Sequence, residues 1–201
     1  MLFDIKPVIH NFDREIPAGG LDGIPFQPFE VDWFGEPLDF TAKFRLGTDP
    51  ERLFFEAQSS LPSKVGNHEK SGKYIEGLWE ADVAEIFIRE PGSTRYQEWN
   101  LSPIGDWWTH TLLDERQRDP DFQIPDKVKT SAEILNNSGW RAVLSFVRPD
   151  FDLSLARINV TMILKDSTGT RRFLSCCPNP ETEPDFHNIR AYQAPKISFI
   201  S

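Results

Sequence analysis

Trp140-Arg141-Ala142-Val143-Leu144-Ser145-Phe146-Val147 reads as a strand with one buried face. Trp140, Ala142, Leu144 and Phe146 fall on one side, and Arg141, Val143, Ser145 and Val147 on the other. That is the period of two of an extended chain, not the 3.6 of a helix. Upstream, Asn136-Asn137-Ser138-Gly139 supplies turn-forming residues that would join this strand to Thr130–Leu135 as a hairpin. Downstream, Ile158, Val160, Met162 and Leu164 alternate with Asn159, Thr161, Ile163 and Lys165. Asp166-Ser167-Thr168-Gly169 then predicts a turn into Arg171–Cys176. The same alternation predicts strands at Phe26–Trp33, Phe40–Leu46, Arg52–Ser59, Asp82–Arg89, Arg95–Leu101, Trp107–Leu113 and Lys196–Ile200. Helix is confined to one turn around Asp150–Ala156, after the start signals Pro149 and Asp150.

Many short strands joined by turns imply an all-β fold, an antiparallel sandwich or barrel, of which a β-sandwich of immunoglobulin or jelly-roll type is the one expected. The 201 residues suit one domain spanning 1–201, with no internal repeat and no linker. Three long irregular segments, Ser60–Leu78, Asp114–Lys129 and Pro178–Pro195, are expected to frame a cleft on one face or rim.

The 22 Lys+Arg against 31 Asp+Glu give a net charge of −9, with no basic cluster. Nucleic acid and anionic membrane surfaces are therefore poor partners. No apolar run is long enough to span a bilayer, and Met1–Arg14 lacks the apolar core of a signal peptide. As written, the chain is expected in the cytoplasm; as a fragment of a longer one, in the periplasm or outside the cell. Cys176 and Cys177 are adjacent and read as reduced thiols on a strand. Sequons occur at Asn136 and Asn159 and carry no necessary meaning.

The densest chemistry lies in Leu78-Trp79-Glu80-Ala81-Asp82-Val83-Ala84-Glu85-Ile86-Phe87-Ile88 and the following Tyr96–Trp108. Ala84, Ile86 and Ile88 share the core face of one strand, which leaves Val83, Glu85 and Phe87 on the other. Tyr96, Glu98 and Asn100 share one face of the next strand, so an antiparallel pairing can bring Glu85 and Glu98 or Asn100 onto one surface. Carboxylates, amides and flat rings converging there suit a neutral sugar: hydroxyls need acceptors and donors, and the C–H face of the ring needs an aromatic platform.

The Leu78–Ile88 stretch resembles the signature strand of the family 9 carbohydrate-binding modules, within the wider DOMON-like sandwich group. Tyr96–Trp108 resembles the next strand and turn of their bacterial relatives. Pro184-Asp185-Phe186-His187-Asn188-Ile189-Arg190 resembles their last loop, with Lys196–Ile200 as final strand. The resemblance implies an antiparallel sandwich holding a sugar ring between two aromatic clamps, here Trp79 and Phe186, the latter where the family has Trp. It makes Glu85 the main acceptor for sugar hydroxyls and places Thr161, shorter than the family's amide, on the late strand. Glu98, Asn100 and His187 are further contacts, and the family's arginine has no counterpart, since Trp99 and Asn100 stand there. The ligand class implied is a mono- or oligosaccharide, as in polysaccharide breakdown, with no catalytic residue and no cofactor. Structural calcium is allowed by the family, although no Asp-rich loop has calcium-ligand spacing.

Other readings of the same residues stand beside these. Trp79 can plug the sandwich edge, Glu85 can accept hydrogen bonds beneath a loop, and Asp82 suits pinning its own loop. Trp99 and Trp140 read as core, while Trp107 and Trp108 face opposite ways, so that one is free to line a cleft. Glycoside hydrolysis would need two carboxyls across a cleft, for which Asp82, Glu85, Glu98 and Asp106 are candidates. No nucleophile elbow, phosphate loop or metal-binding histidine pair accompanies them. Haem, held by some DOMON-like relatives, would need axial ligands such as Met162 or His110, and both read as packing residues. A protein-interaction domain with a vestigial cleft is the remaining alternative.

Overall fold

The computed structural model describes residues 6–12, 21–65, 72–135, 139–180 and 182–200. Among these, the first six strands are β1 (Val8–Phe12), β2 (Gln27–Val31), β3 (Pro37–Thr48), β4 (Arg52–Ser59), β5 (Val83–Arg89) and β6 (Tyr96–Leu101). The rest are β7 (Trp107–Asp114), β8 (Gln117–Arg118), β9 (Lys129–Ile134), β10 (Trp140–Val147), β11 (Arg157–Lys165), β12 (Arg171–Ser175) and β13 (Lys196–Ile200). They form two sheets. One runs β13-β1-β3-β4-β10-β9, with β2 also on β3; the other runs β12-β11-β5-β6-β7-β8.

The alternating residues explain why the sheets stack. Phe44, Phe55, Leu144 and Phe146 of the first sheet meet Ile86, Trp99, Val160 and Met162 of the second in one buried core. Trp99 lies flat on Phe146, ring centroids 3.8 Å apart and planes 13° apart. Trp107 faces inward into this core, and Trp108 faces outward. Cys176 and Cys177 are both buried thiols. Asn159 is buried and accepts from Ser175 Oγ at 2.9 Å, so that sequon is closed to glycosylation. Asn136, and with it most of the predicted 136–139 turn, lies outside the described residues.

Three differences from the sequence expectation matter. The sandwich is not wholly antiparallel: β1 pairs in parallel with both β13 and β3. β1 escapes a period-of-two reading because its Ile9 and His10 are both buried, one on each face. β8 lies inside a segment read as irregular, and at two residues it is too short to show any period. The predicted turn near residue 153 is a 3-10 turn at Leu153–Leu155, capped by the Asp152 carboxylate accepting from Ser154 N at 2.9 Å.

The outer face of the second sheet carries its own apolar cluster. Val83, Phe87, Tyr96, Trp108, Leu112, Ile163, Phe186, Ile189 and Tyr192 are buried there, under the loops before β5 and β13. This is the face opposite the inter-sheet core, and it positions the site.

Candidate functional site

Register lays out the floor. Thr161, Glu85, Asn100 and Trp108 stand opposite one another in a row across β11, β5, β6 and β7. The neighbouring row brings Asn159, Phe87, Glu98 and His110 together on the same face. Glu85 and Glu98 are thus diagonal neighbours on adjacent strands, the relation that lets long side chains interact across a sheet.

Loops supply the walls. A 3-10 turn at Leu78–Glu80, entered through Gly77 in the left-handed region (φ 87°), presents Trp79. The Trp79 carbonyl accepts from Arg171 Nη2 at 2.6 Å, which ties the turn to β12. The β7–β8 connection brings Arg116 and Arg118, and the loop before β13 brings Pro184, Phe186 and His187. With Phe87, Trp108, Leu112, Ile163 and Phe173 these enclose a cavity of about 430 Å³ floored by Glu85 and Glu98. Such a volume is that of a small-molecule site. Of the three irregular segments, Asp114–Lys129 and Pro178–Pro195 line this cleft, while Ser60–Leu78 contributes no lining residue and only leads into Trp79.

The rings are fixed in pairs. Trp79 meets Trp108 edge to face at 5.3 Å, and Phe186 meets Phe173 at 6.3 Å and Trp33 at 5.7 Å. Trp33 Nε1 in turn donates to the Thr182 carbonyl at 2.8 Å, so the ring behind Phe186 is anchored to the same loop.

Both floor carboxyls are buried and their ionised forms are disfavoured. Burial pushes Glu85 up to about 7, against the pull of the Thr161 hydroxyl, which donates to its Oε2 at 2.8 Å. Burial, then repulsion from Glu85, pushes Glu98 up to about 8, while the Asn100 amide donates to its Oε1 at 3.2 Å. His187 is held the other way: burial and Arg116 lower it to about 4, so its ring is neutral. Tyr96 accepts from Arg116 N–H at 3.2 Å and lies 2.6 Å from His187 Nδ1, so its own hydroxyl donates to that nitrogen. The histidine proton then sits on Nε2, 3.8 Å from Glu98.

Of the residues singled out in the sequence, Trp79, Glu85, Glu98, Phe186 and His187 line the cavity. Thr161 and Asn100 do not: both are fully buried and support the two carboxyls from behind. Asp82 pins its loop, accepting from Lys64 N at 2.7 Å and Lys165 N at 2.9 Å. Met162 is buried between the sheets, and His110 stacks on Phe122 at 4.4 Å. Phe173, Arg116 and Arg118 were not foreseen. Alternation in β5 puts Phe87 beside Glu85, but only the sheet order places β12 and the β7–β8 connection at the same cavity. Among the described residues no group of three or more His, Cys, Asp or Glu could hold a metal ion.

Solved structures share this architecture. A candidate carbohydrate-binding protein from Bacteroides uniformis is similar at 17% identity and a TM-score of 0.72, over 97% of this chain and all (100%) of the other. A family 9 carbohydrate-binding module from Caldicellulosiruptor kristjanssonii, in complex with glucose, is similar at 14% identity and a TM-score of 0.64, over 98% and 97%. The same organism's module in complex with cellotriose gives 13% and 0.62, over 98% and 95%. No family model and no curated protein matches the sequence. The fold is therefore that of the family 9 carbohydrate-binding modules.

Proposed function

We propose that this protein binds carbohydrate without transforming it, holding a sugar ring in the cavity over Glu85 and Glu98. The observation that carries this reading is one cavity that combines facing-in rings with a two-carboxyl floor, on a fold whose neighbours hold glucose and cellotriose. Trp79, Trp108, Phe173 and Phe186 offer apolar surface to the C–H faces of the sugar. Glu85 and Glu98 accept from hydroxyls, and Arg116, Arg118 and His187 are donors. Glycosidases place their two carboxyls on opposite sides of the scissile bond. Here both stand side by side on one floor, which supports recognition over hydrolysis.

Stacking at about 0.5–1.5 kcal/mol per ring and charge-assisted hydrogen bonds at about 1.5–3 kcal/mol each act against the association cost. Affinities in the range of roughly millimolar to micromolar follow. Titration with glucose, cellobiose and cellotriose, read by calorimetry and by tryptophan fluorescence, tests the reading. Saturable binding at a one-to-one ratio supports it. Silence across mono-, di- and polysaccharides overturns it in favour of a protein-interaction domain.

A further inference from the structure

The floor of the cavity differs from other buried charge in this protein. On the outer face of the first sheet, the fully buried Glu56 is met by two arginines, Arg45 Nη2 at 2.8 Å and Arg141 Nε at 2.5 Å. Glu85 and Glu98 are almost as deeply buried, yet their hydrogen-bond donors are neutral: the Thr161 hydroxyl and the Asn100 amide. Among the described residues no Lys or Arg lies within ion-pair distance of either, and the nearest basic group is His187 Nε2, 3.8 Å from Glu98. Two carboxyls side by side without a cation are an unfavourable arrangement unless something positive joins them.

The cations that could do so are held elsewhere. Arg116 and Arg118 line the cavity, but their guanidinium groups pair with Asp185 at 2.7 Å and Glu76 at 2.6 Å. The aromatic walls are meanwhile suited to positive charge. Trp108 already carries the Arg118 guanidinium 5.1 Å from its centroid, and Phe173 carries that of Arg171 at 5.2 Å. Ring faces attract cations most when water is excluded. The chain's net charge of −9 also concentrates small cations around it.

Resting on the sugar-binding reading above, we propose that the preferred ligand is an amino sugar, its ammonium seated between Glu85 and Glu98 beneath the aromatic rings. An ammonium brings three donors and one charge, which satisfies both carboxylates at once. A hydroxyl in the same place brings one donor and no charge, so the carboxyls keep their protons. N-acetylation removes the charge and adds bulk.

Calorimetric titration of the full chain at pH 7 with glucosamine, N-acetylglucosamine and glucose tests this. Glucosamine is expected to bind at least roughly tenfold more tightly than the other two, with the gap narrowing as salt rises. Glu98→Gln should collapse the glucosamine-to-glucose ratio to within about twofold, since only one carboxyl is then left that can ionise beneath the ammonium. Glu56→Gln, on the opposite sheet, should leave that ratio unchanged. Glucose binding as well as or better than glucosamine to the unmodified protein overturns the proposal and leaves carbohydrate binding standing. Silence with all three sugars and with cellotriose overturns both.

Discussion

Trp79 and Trp108 touch, yet they answer to different constraints. Trp79 is partly exposed on a 3-10 turn whose backbone is held independently through its own carbonyl, whereas Trp108 is 2% exposed within the outer apolar cluster. Trp79→Ala should therefore weaken sugar binding at least roughly tenfold while moving Tm by no more than about 2 °C. Trp108→Ala should cost about 3–5 kcal/mol of stability, because a buried ring leaves a cavity behind. Calorimetry and thermal melts on the two variants separate stacking from plugging. The floor carboxyls make a second, pH-dependent prediction. Glu85 and Glu98 ionise near 4.5 when exposed and at about 7 and about 8 when folded, so the folded state binds the extra protons between those limits. Their contribution is full below about pH 4.5 and is lost as pH rises through about 8. Arg171, Arg116 and Arg118 face the pair and moderate this loss without cancelling it, and the neutral His187 adds no charge until near pH 4. Glu98→Gln, neutral at every pH, should melt close to the unmodified protein at pH 5 and several degrees above it at pH 8.5, measured by calorimetric scans across that range. Equal melting temperatures at both pH values would show that Glu98 is ionised throughout.

At the scale of elements, β5 is the strand that the whole outer face depends on, and Asp82 is what starts it in register. Its two oxygens accept from the backbone of Lys64 and of Lys165, which joins the loop before β5 to the end of β11. Asp82→Ala leaves two partly buried backbone donors unmatched and should cost about 1–3 kcal/mol. It should also lower sugar affinity, because the turn carrying Trp79 begins at Leu78, just upstream; urea melts and fluorescence titration read the two effects. The strands around this point were legible in the sequence for the same reason they are stable. Ala84, Ile86 and Ile88 have to face the other sheet, so Glu85 and Phe87 have to face out, and no tertiary information is needed to say so. β1 was not legible, because a strand flanked on both sides, with Ile9 and His10 buried on opposite faces, shows no alternation, and its partners, β13 and β3, are remote in sequence. Of the site, the residues on strands and in the family-like motifs could be named in advance. Arg116, with a left-handed φ of 59°, and Phe173, two strands from Glu85, reach the cavity only through loop geometry and sheet order. Thr161 and Asn100 show the converse: alternation puts them on the right face but cannot say which groups end up beneath others.

For the molecule as a whole, the two outer faces of the sandwich solve the problem of buried charge in opposite ways. On the first sheet Glu56 is locked by Arg45 and Arg141, with Asp22 bridging the same two arginines at 3.1 and 3.2 Å. Every member has its partner inside the protein, so this network can stabilise but has nothing to offer a ligand. On the second sheet Glu85 and Glu98 have the neutral Thr161 hydroxyl and Asn100 amide as donors, an arrangement that costs stability and that the proposed ammonium would complete. The inter-sheet core, one apolar cluster that includes Phe55 and Ile86, separates the two faces. Changes more than about 7–10 Å apart without shared partners add rather than couple. Glu56→Gln should accordingly cost on the order of 3 kcal/mol, since two arginines lose their charge partner. In the fraction that remains folded, sugar affinity should stay within about twofold of the unmodified protein. Denaturant melts together with calorimetric titration check this, and a matched loss of affinity would mean that strain on one sheet reaches the other through the core. If the two faces are independent, a change on the cavity floor should in turn leave the network around Glu56 as it was, and Glu98→Gln and Glu56→Gln should add in stability when combined.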